Sequence, residues 1–215
     1  MSFLNQLKSQ ARSLQGHKGD RHVEHERAHA GTEAGCRALL QYLEDLARQL
    51  NIIEPAAPIL SLDGKTPWPP MKLTTFRVDA RKKMISGREM FDYVAMGWSI
   101  VPQSGTSVNG TVTVNFPPDL ERVESRLAMG LVRHERRELR HPEKNTLQAL
   151  AFDYAAETRG NVTAVADHDQ GLLAFRLLNV SGFGIANTSW PAIDARLDLL
   201  DELAKLIVSE QSRFV

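Results

Sequence analysis

The sequence predicts an α+β fold with N-terminal helices, a mostly antiparallel sheet of about six to eight strands arranged as a meander, and a C-terminal covering helix. Three observations carry this prediction. Apolar residues recur at spacings of three and four near both ends of the chain. Runs rich in β-branched and aromatic residues fill the middle. Short segments that contain glycine separate several of these runs, as they do in β-hairpins.

Two helices are predicted in the N-terminal part. Residues 2–15 have helical spacing, Gly16 and Gly19 interrupt it, and residues 21–50 resume it. The second helix carries an apolar stripe formed by Cys36, Leu39, Leu43, Leu46 and Leu50. Such a stripe has to be covered. We expect it to pack on the chain's own sheet or, alternatively, on a helix of a second copy in a homodimer.

Strands and one short helix follow. Strands are predicted over residues 73–83, 91–101 and 111–116, and a helix over residues 119–129. The segment Leu131–His141 has two interpretations, a continuation of that helix or a charged edge strand. Gly130 and Pro142 on either side favour the strand.

The next segment is interpreted as hairpins. Arg159-Gly160-Asn161 is expected to turn the chain between strands at 146–158 and 162–167, and Gln170-Gly171 to turn it again into residues 172–189. The C-terminal helix is predicted to begin near Ser189 and Pro191. Its inward residues are expected to be Ile193, Leu197, Leu200, Leu203, Ala204 and Ile207.

Composition limits the class of protein. The chain has 215 residues, with 26 basic and 26 acidic side chains, so net charge gives no argument for binding nucleic acid. No apolar stretch is long enough to span a membrane. The single cysteine, Cys36, cannot form an internal disulfide, and a cytoplasmic location is expected. We expect a helical region at 1–54 and a sheet domain at 55–215 to form one compact unit.

Basic residues supply the preferred candidate site. Arg77, Arg81 and Lys83 share one face of a predicted strand, and Arg133 and Arg137 share a face of the next charged segment if it too is a strand. Side by side, these strands would present guanidinium groups suited to carboxylate or phosphate. The competing interpretation is a solvated sheet face balanced by neighbouring carboxylates.

Histidines supply a weaker candidate. His22, His25 and His29, with His17 nearby, lie on one face of the second predicted helix and could share a metal ion. A real site normally recruits a ligand from another element, and the sequence identifies none. No metal or cofactor is therefore predicted, and a solvated helix face is preferred.

Acid and base residues give the alternative function. His134 and Glu138 resemble a zinc-protease signature but lack its second histidine, and Asp167-His168-Asp169 falls in a predicted turn. A metal-dependent or His/acid-dependent hydrolase would require at least two of His134, Glu138, Asp167 and His168 to meet.

We therefore expect a cytoplasmic, non-catalytic binding or interaction protein that recognises an anionic ligand or an acidic partner surface. The alternatives are the hydrolase and a structural subunit of an oligomeric assembly.

Overall fold

The computed structural model describes residues 23–215 in full and, before them, the helical backbone from Phe3 onward. This part of the chain contains three α-helices, a short 3₁₀ turn and eight strands. The helices are α1 (Phe3–Ile53), α2 (Pro117–Met129) and α3 (Leu197–Ile207), and the 3₁₀ turn is Ala192–Asp194. The strands are β1 (Met71–Ile85), β2 (Arg88–Pro102), β3 (Asn109–Val114), β4 (His134–Arg140), β5 (Leu147–Ala155), β6 (Thr158–Asp167), β7 (Leu172–Leu178) and β8 (Ile185–Pro191).

The α+β class and the antiparallel pairing are confirmed, but the strands form two sheets. Sheet A has the order β1-β2-β6-β7-β8, and sheet B has the order β3-β5-β4. All neighbouring strands are antiparallel. Only β6-β7-β8 follow one another as a simple meander, because β3, α2, β4 and β5 are inserted between β2 and β6.

The predicted turn at Arg159-Gly160-Asn161 is wrong. These residues lie inside β6, which pairs with β2 and β7, whereas the preceding β5 belongs to sheet B. Gly160 serves packing instead of turning the chain, since a Cβ there would lie 2.4 Å from the ring of Trp98. The turn at Gln170-Gly171 is confirmed, with Gly171 at φ +68°.

Two further boundaries differ from expectation. The helix α1 is one element from Phe3 to Ile53 where two were predicted, since a helix tolerates an isolated glycine at a cost of about 1 kcal/mol. The helix α3 begins only at Leu197, so Ile193 and Leu197 are exposed and not inward. The strand interpretation of Leu131–His141 is confirmed by β4.

The α1 stripe packs on sheet A of the same chain. Its buried members are Cys36, Leu39, Leu43, Ala47 and Leu50, and they share one core with apolar side chains of β1, β2, β6 and β7. The helix α1 contacts β1 most extensively, and β2 and the 3₁₀ turn to an equal, smaller extent. One face of sheet A is therefore covered and the other is left open. Within the described residues, no helix is long and apolar enough to cross a membrane.

Candidate functional site

A groove lies on the open side of sheet A, where the chain passes between the two sheets. Two clefts of about 450 Å³ and about 250 Å³ share Ser99, Leu131 and Arg159 as lining residues, so they form one continuous surface. Arg77 lines only the first cleft, and Arg133 lines only the second. We call this surface the arginine groove. The larger cleft lies within the range of about 300–1,000 Å³ that is typical of small-molecule sites.

The floor of the arginine groove is open at Gly97. Gly97 of β2 is paired with Arg77 of β1 on one side and with Asn161 of β6 on the other. A Cβ at Gly97 would find only the carbonyl oxygen of Gly160 within contact range, at 3.8 Å. The space above Gly97 is therefore open, and the Arg77 side chain stands beside it.

Charge in the arginine groove is positive. Arg77, Arg133 and Arg159 are exposed, and within residues 23–215 their guanidinium groups form no ion pair or hydrogen bond. Glu157 is the one carboxylate among the described residues that line the two clefts. Three positive groups against one negative group leave a surplus of positive charge, which favours an anion.

A β-bulge positions Arg77. The register of β1 against β2 shifts between Thr74 and Arg77, and Thr75 inside the bulge has φ +58°, which is rare for a β-branched residue. The side chain of Asn51 in α1 holds the bulge, because it accepts from the Phe76 N–H at 2.8 Å and donates to the Phe76 carbonyl at 3.0 Å. The last turns of α1 thus fix the strand just before the arginine.

The opposite wall of the groove is tied to β6. The Thr158 hydroxyl donates to the Gly130 carbonyl at 2.5 Å, and Thr158 is buried. Leu131, the next residue, has φ +51° and is 72% exposed at the rim of the groove. This hydrogen bond fixes the start of the segment that carries Arg133.

The remaining predicted basic residues are engaged elsewhere. Lys83 Nζ lies 2.8 Å from Asp92 Oδ1, and Arg81 donates to the same carboxylate. Arg137 pairs with Asp153 across β4 and β5. These cations are neutralised locally, which distinguishes them from the arginines of the groove.

These basic partners lower the pKa values of the carboxylates with which they pair. Hydrogen bonds from Lys83 and Arg81 lower the pKa of Asp92. Hydrogen bonds from Arg137 and Thr111 lower the pKa of Asp153 to about 2.

The two predicted arginine strands are not side by side. The strand β1 is at an edge of sheet A, whereas β4 is at an edge of sheet B. Arg77 and Arg133 nevertheless line one groove, and Arg159 lies between them as a residue common to both clefts. Sequence interpretation missed Arg159 because it assigned that residue to a turn. The strand β6 was predicted only from residue 162 onward. Its alternation of inward and outward residues extends back through Arg159 to Thr158, and this was the signal that could have identified the whole strand.

The predicted acid and base residues occupy different sheets. His134 and Glu138 lie on β4, where Glu138 accepts from Arg140 at 2.7 Å. Asp167 ends β6, and its carboxylate accepts from the Gln170 N–H at 2.9 Å, as an ordinary turn residue does. His168 is buried beside the carbonyl of Phe91.

The helix histidines lie next to that turn. His25 and His29 of α1 approach Asp169 of the β6–β7 turn. The side chains of His17 and His22 lie outside the described residues.

No protein family, curated protein or solved structure matches the chain.

Proposed function

We propose that the protein is a non-catalytic binding protein that holds an anionic small molecule in the arginine groove. The observation that carries the proposal is that the guanidinium groups of Arg77, Arg133 and Arg159 have no partner within residues 23–215. They line a groove whose floor is open above Gly97. The ligand class is a phosphorylated or polycarboxylate molecule, since the planar guanidinium fork matches both groups.

The contrast with neighbouring arginines supports this proposal. Arg81 and Arg137 each have a carboxylate partner from the adjacent strand. Arg159 faces Ser99 across the β2–β6 pair, and a serine cannot neutralise it. Within residues 23–215, the three guanidinium groups that line the groove have no such partner, so they are suited to receive negative charge from outside.

A cytoplasmic location belongs to the same proposal. Cys36 is a free, fully buried thiol in the described structure, so nothing in its packing requires oxidation.

The first test measures the binding of pyrophosphate by calorimetry at low salt. Replacing Arg159 by Gln should weaken binding by about 10-fold or more, because a hydrogen bond to a charged group contributes roughly 1.5–3 kcal/mol. Arg159→Lys keeps the positive charge but loses the planar guanidinium fork. It should therefore bind pyrophosphate more tightly than Arg159→Gln and more weakly than the wild-type chain. The matched control is Arg81→Gln, whose side chain is already paired with Asp92. Equal losses in both glutamine variants would mean diffuse attraction and would contradict a defined site.

A second test uses the shape of the floor. Gly97 has open space above it, so Gly97→Leu should fill the groove and abolish binding while Gly97→Ala retains most of it. Circular dichroism and thermal unfolding would establish that both variants fold. Unchanged affinity in folded Gly97→Leu would place the ligand elsewhere. If pyrophosphate and citrate fail but a glutamate decapeptide binds and loses affinity in Arg159→Gln, the occupant is an acidic partner and not a small molecule.

A further inference from the structure

A metal-ligand signature is present in the part of α1 that approaches sheet A. Residues 25–29 read His-Glu-Arg-Ala-His, with the two histidines four positions apart on one helix face. This spacing brings two imidazoles together in His-Glu-x-x-His metal sites. A pair on a helix still needs a ligand from another element to form a defined site.

Asp169 supplies that third ligand from the β6–β7 turn. Its Oδ1 atom lies 3.5 Å from His29 Nε2 and 3.7 Å from His25 Nε2. One nitrogen or oxygen atom from each of the three side chains lies within 4.8 Å of the other two. The group therefore joins a helix to a turn that is distant in the sequence.

The separations fit a shared cation. Zinc binds nitrogen and oxygen ligands at about 2.0–2.2 Å, so two ligands of a tetrahedral ion lie about 3.4 Å apart. The two distances from Asp169 Oδ1 are close to this value. A direct hydrogen bond would be shorter, at about 2.7–3.0 Å.

His29 has an unsatisfied atom aimed into this group. It is 6% exposed, and its Nε2 has no hydrogen-bond partner in the described structure, although it lies at ion-pair distance from Asp169. Leaving a buried polar atom unpaired is costly, and native structures usually supply a partner. A metal ion between the imidazole nitrogen and the carboxylate would satisfy both.

We propose that His25, His29 and Asp169 bind one divalent transition-metal ion, with zinc as the best match to two imidazoles and a carboxylate. The side chains of His25 and Asp169 are 44% and 79% exposed, so a fourth position opens to solvent. Bound metal clamps α1 to the end of β6. The site is distinct from the arginine groove and depends on none of its residues.

Two neighbouring side chains, Glu26 and His168, are not ligands of the proposed metal site. The Glu26 carboxylate of the signature accepts a hydrogen bond from Arg88 at 3.0 Å and does not belong to the group of three ligands. His168 Nε2 donates to the Phe91 carbonyl at 2.7 Å, since a carbonyl can only accept. His168 does not belong to the group of three residues whose ligand atoms lie within 4.8 Å of one another. Its ring lies 5.7 Å from that of His29 and forms the wall behind it.

The experiment is metal uptake by the untagged full chain. After incubation with Zn²⁺ and dialysis, elemental analysis should give one zinc per chain, and titration with Co²⁺ should give the visible absorption of a tetrahedral ion. Asp169→Asn should weaken Co²⁺ binding by at least about 100-fold, more than the loss of an outer-shell partner usually costs. Its side chain is exposed, so this variant should fold, and it carries the test even if His29→Gln does not fold.

Two control variants separate this site from adventitious binding. Glu26→Gln should leave Co²⁺ affinity unchanged. His22→Gln should also leave it unchanged, because the third ligand is Asp169 and not another helix histidine. Zinc should raise the melting temperature of the wild-type chain and of both controls, but not that of Asp169→Asn. The proposal would be overturned if the wild-type chain did not retain one metal ion per chain. It would also be overturned if His22→Gln lost Co²⁺ binding while Asp169→Asn kept it.

Discussion

The two faces of sheet A use glycine in opposite ways. On the covered face, Gly160 of β6 lies under the ring of Trp98, its cross-strand partner on β2. On the open face, Gly97, the residue before that tryptophan, has almost nothing above it. The missing side chain accommodates an aromatic ring on one face and leaves a cleft between cations on the other. A glycine in a strand therefore indicates either close packing or a binding surface, and the choice between them requires knowing which face of the sheet it lies on.

Sheet B repeats the packing use of glycine. Gly110 of β3 is opposite Tyr154 of β5, and a Cβ at Gly110 would lie 2.6 Å from the Tyr154 ring. Tyr154 in turn stacks on Trp68, with ring centroids 5.5 Å apart. Trp68 is 5% exposed, so it packs inside the molecule. The aromatic-over-glycine pair thus occurs in both sheets, whereas Gly97 is the contrasting case.

The largest effect expected on the covered face concerns the reactivity of Cys36. Burial, with a smaller contribution from the charge of Glu33, raises the pKa of the Cys36 thiol to about 12. Because the thiolate is the reactive form, the folded chain should react with a disulfide reagent at pH 8 about 1000-fold more slowly than an unhindered thiol with a pKa near 8.5. Stopped reactions followed by mass spectrometry would measure this rate. Rapid labelling without denaturant would mean that α1 does not stay docked on sheet A.

Next in size is a paired comparison of the two glycines. Gly160→Ala should lower the free energy of unfolding by about 1–3 kcal/mol, because the new methyl group overlaps the Trp98 ring and the core has to shift. Gly97→Ala should change the free energy of unfolding by less than about 0.5 kcal/mol, as is usual for surface positions. Urea unfolding of both variants measures the difference. If the two variants were equally destabilised, the distinction between a covered and an open face would fail at this point of the sheet.

Much of the fold could be predicted from local pattern. The α1 stripe was recognisable because helical spacing places Cys36, Leu39 and Leu43 on one side, and they are buried. The strand β1 was recognisable from its alternation, and β2 from a run that is apolar on both faces. What local pattern could not supply was the partner of each strand. Gly160 resembles a turn residue until Trp98 is known to lie across from it.

The candidate sites show the same limit. Arg77 and Arg133 could be named from the sequence, but whether a cation is free depends on strand register. Asp92 and Asp153 neutralise Arg81 and Arg137 only because the strands bring them together. The histidine pair at 25 and 29 was visible with its His-Glu-x-x-His spacing, which sequence interpretation overlooked. Asp169 could not have been assigned to the pair, because only the fold brings the β6–β7 turn to α1.

The smallest expected effect is the shift in the pKa of Asp153, which tests whether this carboxylate pairs with Arg137. In the folded chain Asp153 should titrate near pH 2, since hydrogen bonds from Arg137 and Thr111 lower its pKa. A lowered folded-state pKa means that this carboxylate contributes stability above its unfolded pKa of about 3.9, and that the contribution is lost as pH falls toward 2. Carbon-detected NMR titration of the aspartate side chains measures the value directly, and Arg137→Gln should return it toward 3.9.

The Asp153 titration also fixes the extent of the arginine groove. Asp153 and Arg133 line an adjacent cleft of about 520 Å³. If Asp153 titrates near 2, Arg137 is held by it and the anion site ends at Arg133. An ordinary pKa near 3.9 would mean that Arg137 is released from its partner. The positive surface would then continue along β4, and the contrast between paired and unpaired arginines, on which the proposed binding function rests, would no longer hold.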